Sequence, residues 1–195
     1  NLKRLPTTLS RSPPRFSMPT MPLPIISLWH GSQVPGCPVS IVTRLACGLF
    51  EVPVGRRAAP RVGRWLEEQG LIPDHVVSSP AERAKQTVIA VCQALGIEAD
   101  QIHWDRRIYG GWTRTLIDVL RDSPAEATRV LIAGHNPGLE DLLETLCAGK
   151  TPRPPDGKLM PTAAVARVQI DPPWAGLGPG SGQLMSLTRA RSLKD

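Results

Sequence analysis

Aromatic residues are scarce, 4% of the 195, so any core this chain buries must be aliphatic. It has no uninterrupted stretch of about 18 apolar residues of the kind a membrane-spanning helix needs, and the apolar run from Met21 to Trp29 is broken by Pro22 and Pro24. Neither a membrane partner nor a signal peptide is expected. The four cysteines, Cys37, Cys47, Cys92 and Cys147, form no C-x-x-C pair. Cys92 and Cys147 fall in amphipathic stretches and read as buried free thiols, so disulfides are not expected and a reducing, cytoplasmic location is. Basic residues are not interleaved with aromatics and no nucleic-acid-binding module is recognisable, which argues against a nucleic-acid partner.

Acidic residues are nearly missing from one part of the chain. Residues 1–60 hold seven Lys/Arg against Glu51 alone and carry +6, whereas the rest balances to zero. The same 60 residues contain ten of the 21 prolines and no long helical period. Three accounts compete for residues 1–54. A segment translated out of frame from a GC-rich gene ranks first, a natural, disordered, basic Pro-rich tail second, and a diverged first strand and loop third. The chain does not open with Met, which fits a fragment or an imperfect gene model. The expected organisation is an atypical segment at 1–54, weakly packed apart from a strand at Ile25 to Leu28, and one domain at 55–195, long enough to bury a core.

From Gly55 onward the pattern alternates. A helix is expected from about Arg57 to Gln69, stopped by Gly70; then strand, helix, a short strand at Ile102 to Trp104, a helix near Thr113 to Arg121, strand, helix and two strands. Alternation of this kind implies a three-layer α/β/α fold, with helices on both faces of a mostly parallel sheet. The last two strands, around Val165 to Ile170 and Gln183 to Leu187, are expected to pair antiparallel at one edge across the Pro/Gly-rich loop Asp171 to Gly182.

Two junctions carry the chemistry. His75-Val76-Val77-Ser78 is a β-branched run; Ser79 follows as a helix N-cap, with Pro80 at the first helical position and Glu82 completing a capping box. Arg83 then falls in the first helical turn, where a cation gains nothing from the helix dipole unless an anion sits between them. Arg129 to Ala133 is the second strand, Gly134 lets the chain turn, and Asn136-Pro137 opens a helix carrying Leu139, Leu142, Leu143 and Leu146. His135 lies at the strand's carboxyl end, where ligands of open α/β sheets collect, so His135 and Arg83 are expected to face one crevice and share one anion. His75 and His103 read as structural or exposed residues.

On these residues the chain resembles the histidine phosphatase superfamily, phosphoglycerate mutase-like in fold, and within it the SixA-type phosphohistidine phosphatases. Gly55 to Ala59 resembles the family's Gly-containing turn and first long helix. Ser79-Pro80-Ala81-Glu82-Arg83-Ala84-Lys85-Gln86-Thr87 resembles its Ser-Pro-x-x-Arg-Ala-x-Gln-Thr motif, and Gly134-His135-Asn136-Pro137 its Gly-His-Asn-Pro motif. Pro161 to Ala164, Trp174 and Pro179-Gly180 fall as in SixA-like C-terminal hairpins. The resemblance implies a histidine nucleophile in an Arg-His-Gly motif ending the first strand, transiently phosphorylated, with arginines and a second histidine holding the phosphoryl oxygens. It implies no cofactor and no metal.

His30, in Ile25-Ile26-Ser27-Leu28-Trp29-His30-Gly31, is the upstream histidine available for that role, but Trp29 stands where the family has its first arginine. Ile108-Tyr109-Gly110-Gly111 falls where relatives carry a Tyr-containing loop near the pocket; it offers no carboxylate, and Asp105 is near only in sequence. The expected catalytic set is His30, Arg83 and His135. The expected partner is a phosphorylated substrate, either phosphohistidine in a protein or a small phosphomonoester. The alternative is a catalytically inactive relative that binds phosphate or phosphoprotein.

Overall fold

The computed structural model describes residues 39–44 and 53–193 apart from 153, 162 and 172. Six strands form one sheet in the order β3-β2-β4-β1-β5-β6. In chain order these are β1 (Val39–Arg44), β2 (His75–Ser78), β3 (Ile102–Trp104), β4 (Arg129–Ala133), β5 (Ala164–Ile170) and β6 (Gly182–Arg189). The first four are mutually parallel; β5 runs antiparallel to β1, and β6 antiparallel to β5. Among the described residues four α-helices fill the connections: α1 (Pro53–Glu68), α2 (Glu82–Ala94), α3 (Thr113–Arg121) and α4 (Gly138–Leu146).

Strand side chains alternate between faces, so each buried strand feeds two cores. Val76, Leu131, Ala133 and Val165 pack with α1 and α2 through Val62, Leu66, Val88 and Val91. Val77, Val130, Ile132, Ala166 and Val168 pack with α3 and α4 through Leu116, Leu120, Leu139 and Leu143. The expected three layers, parallel sheet and antiparallel edge are therefore all present. The Trp174 indole is buried in the second core and donates to the Ala127 carbonyl at 2.8 Å, tying the β5–β6 loop beneath the sheet. Cys92 and Cys147 are free and buried, and burial pushes the Cys92 thiol up to about 12, which leaves it inert.

Local chemistry explains most boundaries. Gly70 adopts φ +64°, its N–H bonded to the Glu67 carbonyl and that of Leu71 to Leu66, and α1 ends there as expected. At its other end α1 begins at Pro53, so Gly55 lies inside the helix rather than in a turn before it. The expected strand at Ile25 to Leu28 lies outside the described residues. The described upstream strand is Val39–Arg44, which pairs with β4 on one side and β5 on the other. No helix among the described residues is long and apolar enough to cross a membrane.

Helices α1 and α2 touch through Gly63, where an added methyl would lie 2.6 Å from the Ala94 Cβ and 2.6 Å from the Val91 carbonyl oxygen. Backbone cannot retreat as a side chain can. Gly63→Ala is expected to destabilise the fold by about 1–3 kcal/mol, despite a helix-propensity gain of about 1 kcal/mol. Urea denaturation of the two proteins checks this; an equal or higher midpoint for the variant contradicts it.

Candidate functional site

Strands β2 and β4 are parallel neighbours, with Ser78 level with Ala133. The Ser79 N–H continues the ladder by donating to the Ala133 carbonyl at 2.9 Å. That rung keeps Ser79 extended, and α2 starts only at Glu82 with Ala81 as its N-cap. The expected capping box therefore does not form. The Ser79 hydroxyl accepts instead from the Ala81 N–H at 3.3 Å, and Glu82 accepts from the Gln86 side chain at 2.8 Å. Arg83 remains in the first turn of α2, as the sequence predicts.

The β4 junction supplies the facing group. Gly134 passes so close to Ile108 that a Cβ would lie 2.6 Å from its Cγ2, which is why glycine precedes the histidine. A cis peptide joins Asn136 to Pro137, and α4 begins at Gly138. His135 is buried, and both ring nitrogens are engaged. Arg83 Nε donates to Nδ1 at 3.3 Å, and Nε2 lies 2.9 Å from the Ser79 hydroxyl oxygen. With Nδ1 accepting, the proton of the neutral ring is on Nε2 and is donated to Ser79. Burial first, and the Arg83 charge second, hold the imidazole below its ordinary value of 6.5. The Tyr109 ring meets His135 edge-on, centroids 5.5 Å apart, and the Arg83 guanidinium lies 5.9 Å from the Tyr109 centroid.

Arg83 and His135 are thus brought together from residues 52 apart in sequence. Beside His135 opens a cavity of about 230 Å³, walled by Gly110, Gly111 and Trp112 before α3 and by Asn136 and Asp141 of the β4–α4 junction. Asp105 is turned to structure: its carboxylate accepts from the Arg107 side chain and backbone at 2.7–3.1 Å, which holds it below the usual carboxylate range. His75 starts β2, at the end of the strand away from Ser78, with its ring 6.2 Å from that of His103. No cluster of three or more metal-ligating side chains occurs among the described residues. His30 and Trp29 lie outside the described residues. Strand β1, which runs parallel beside β4 on the side away from β2, ends at Arg44 and is followed in sequence by Leu45-Ala46. Ser79, read from the sequence as a cap, is the site residue that reading missed; its signal was the second serine of Ser78-Ser79, directly before the Pro.

A guanidinium beside a neutral imidazole, at the carboxyl ends of parallel strands and the start of two helices, is suited to an oxyanion. Residues 52–146 match the family model of the histidine phosphatase superfamily, branch 1. That stretch of the chain carries the pattern of the superfamily. An uncharacterized protein of Mycobacterium tuberculosis is 28% identical over 137 residues, 68% of this chain and 84% of that one. The SixA structure from Nakamurella multipartitia, assigned as a phosphohistidine phosphatase, superposes with a TM-score of 0.68 at 24% identity, covering 79% of this chain and 96% of that one. The protein histidine phosphatase SixA complexed with tungstate gives 0.66 at 21%, covering 80% and 99%. At these identities the likeness is one of fold. Fold and family together are those of phosphatase-type hydrolases.

An anion bound here is expected to replace Arg83 as the partner of Nδ1 and to favour the imidazolium, so that binding takes up a proton. Sulfate keeps its charge across the neutral range and isolates this effect. Its affinity is expected to rise as pH falls from about 8 through the bound-state pKa of His135, and to level off below the lowered free-state value. Ser79→Ala, which removes the partner that fixes the ring, is expected to weaken sulfate by about 1 kcal/mol. Calorimetry in buffers of different ionisation enthalpy measures both; a flat pH profile contradicts the role given to His135.

Proposed function

We propose that Arg83 and His135 hold a phosphoryl group and that this chain is a phosphatase acting on phosphohistidine in proteins or on small phosphomonoesters. The observation that carries it is the 3.3 Å approach of the Arg83 guanidinium to His135 at the ends of two parallel strands. A planar guanidinium matches two oxygens of a transferring phosphoryl group, and a histidine that gains a proton beside it adds charge where charge develops. In the hydrolytic cycle His30 is the nucleophile. Its ring nitrogen forms a bond to phosphorus as the bond to the leaving group breaks, and the leaving group takes a proton. Water then attacks the phosphohistidine and releases phosphate. A leaving group of low basicity, such as an imidazole, depends little on a strong general acid.

A second reading, binding without turnover, is favoured by one feature: the residue after β1 is Leu45, which carries no nucleophile. Both readings keep the phosphoryl site; the chain as written is expected to turn over weakly in the first and not at all in the second. Trp29 in place of an arginine removes one guanidinium fork, a loss that costs on the order of a hundredfold in rate.

The measurement is hydrolysis of an aryl phosphate near neutral pH, with trapping of acid-labile phosphate on the protein. Arg83→Ala and His135→Ala are each expected to lower phosphate affinity at least several-fold, in line with about 1.5–3 kcal/mol for a hydrogen bond to a charged group. Trp29→Arg is expected to raise turnover, and His30→Ala to abolish it. If Trp29→Arg folds yet stays inert, while Leu45→His accumulates acid-labile phosphate, then β1 is the nucleophile strand and the parent is a binder. Phosphate affinity unaltered by both Arg83→Ala and His135→Ala would overturn the phosphoryl site itself.

A further inference from the structure

The cavity of about 230 Å³ that His135 borders is too small for a drug-sized ligand and suits a single short group. Its shape is fixed by backbone. A methyl on Gly138 would come 2.8 Å from the Gly111 carbonyl oxygen, and a methyl on Gly111 would overlap the Arg107 carbonyl. The start of α4 and the loop before α3 are therefore locked face to face.

Away from His135, the one charged residue of the walls is an acid. Asp141, in the first turn of α4, donates its N–H to the Pro137 carbonyl at 3.0 Å, but its carboxylate meets no hydrogen bond or ion pair among the described residues. The carboxylates of α3 and its end are engaged, Asp118 by Arg121 and Asp122 by Arg107. Glu140, next to Asp141 in the same turn, accepts from the Met160 N–H at 2.8 Å. Asn136, another wall residue, has a buried Oδ1 with no donor among the described residues. Trp112 completes the wall with an indole that is 83% exposed, an unusual state for the largest side chain and one suited to stacking against a cation. The carboxylate and the indole face attract a cation, and neither attracts a second anion.

We propose that this cavity is the subsite for the group attached to the phosphoryl, and that Asp141 and Trp112 make it select a short aminoalkyl group. The subsite rests on the phosphoryl-binding reading above: Arg83 and His135 take the anionic end of the ligand and Asp141 with Trp112 its cationic end. Small phosphomonoesters that carry a carboxylate near the phosphoryl, by contrast, would bring like charge against Asp141 and are disfavoured.

The test is equilibrium titration of the full chain with inorganic phosphate and three ester series of matched length, two to four carbons: aminoalkyl, alkyl and carboxyalkyl phosphates. The parent is expected to bind the best aminoalkyl phosphate about three- to tenfold tighter than its alkyl counterpart, the range of one cation–π contact and one exposed ion pair, and the carboxyalkyl ester weakest. Asp141→Asn is isosteric and should shrink that preference without weakening inorganic phosphate. Asp141→Lys should reverse the order in favour of the carboxyalkyl ester, and Trp112→Ala should lower the aminoalkyl preference alone. Equal binding of the three series by the parent, or a preference that survives both Asp141→Asn and Trp112→Ala, overturns the subsite while leaving the phosphoryl site standing. Failure of inorganic phosphate to bind the parent overturns the phosphoryl site, and the subsite with it.

Discussion

The rung from the Ser79 N–H to the Ala133 carbonyl, at 2.9 Å, is the last between β2 and β4, and the site hangs from it. By extending the ladder one residue past β2 it sets the two strand-to-helix junctions at one level. It aims the Ser79 hydroxyl along the sheet toward His135 and delays α2, so that Arg83 comes off the first turn facing the same ring. Without that hydroxyl beside it, Nε2 of a buried imidazole would have no partner among the described residues. Leaving a buried polar group unpaired costs about 1–3 kcal/mol, so the sheet bond and the histidine contact support each other.

Electrostatically the pocket is a positive charge held against a suppressed one. Among the described residues no carboxylate meets Arg83; its guanidinium rests on the His135 nitrogen and beside the Tyr109 ring. Such contacts keep the side chain in place but leave its charge uncompensated, beside the N-terminus of α2. An oxyanion offers more to each participant: two forked hydrogen bonds to Arg83, a charge-assisted one to an imidazolium, and the dipole of the helix start. The tautomer held by Ser79 matters here because it keeps Nδ1, the nitrogen on the Arg83 side, open to receive the proton.

Much of this was legible in the sequence because local pattern and global fold agree. The nine residues Thr113–Arg121 and the three of Ile102–Trp104 are bounded in the structure as their periodicity and turn signals indicate. The Arg83–His135 meeting was legible because parallel strands with titratable residues at their carboxyl ends must converge. Ser79 was misread since Ser-Pro before a helix satisfies two rules at once, and only tertiary pairing decides whether the ladder or the cap prevails. Val39–Arg44 was passed over for a different reason. Its β-branched run is as strand-like as Ile25 to Leu28, but it ends in no histidine, so no functional residue marks it. Trp112 and Asp141 carry no motif, and they become neighbours only because Gly111 and Gly138 let two backbones touch.

Binding and chemistry are consequently built on separable parts of this fold. The groups brought together around His135 come from the β2–α2 and β4–α4 junctions, with Tyr109 from the loop after β3. These elements are braced by two aliphatic cores that draw on all four helices. In the proposed cycle the nucleophile comes instead from the basic, proline-rich part of the chain, at His30 or at the position Leu45 occupies. Loss of a nucleophile there leaves the rungs between β2 and β4, the Ser79–His135 bond and the glycine contact at the cavity unchanged. A chain of this architecture can therefore lose turnover without losing its ligand, which is why affinity and hydrolysis have to be measured on the same variants.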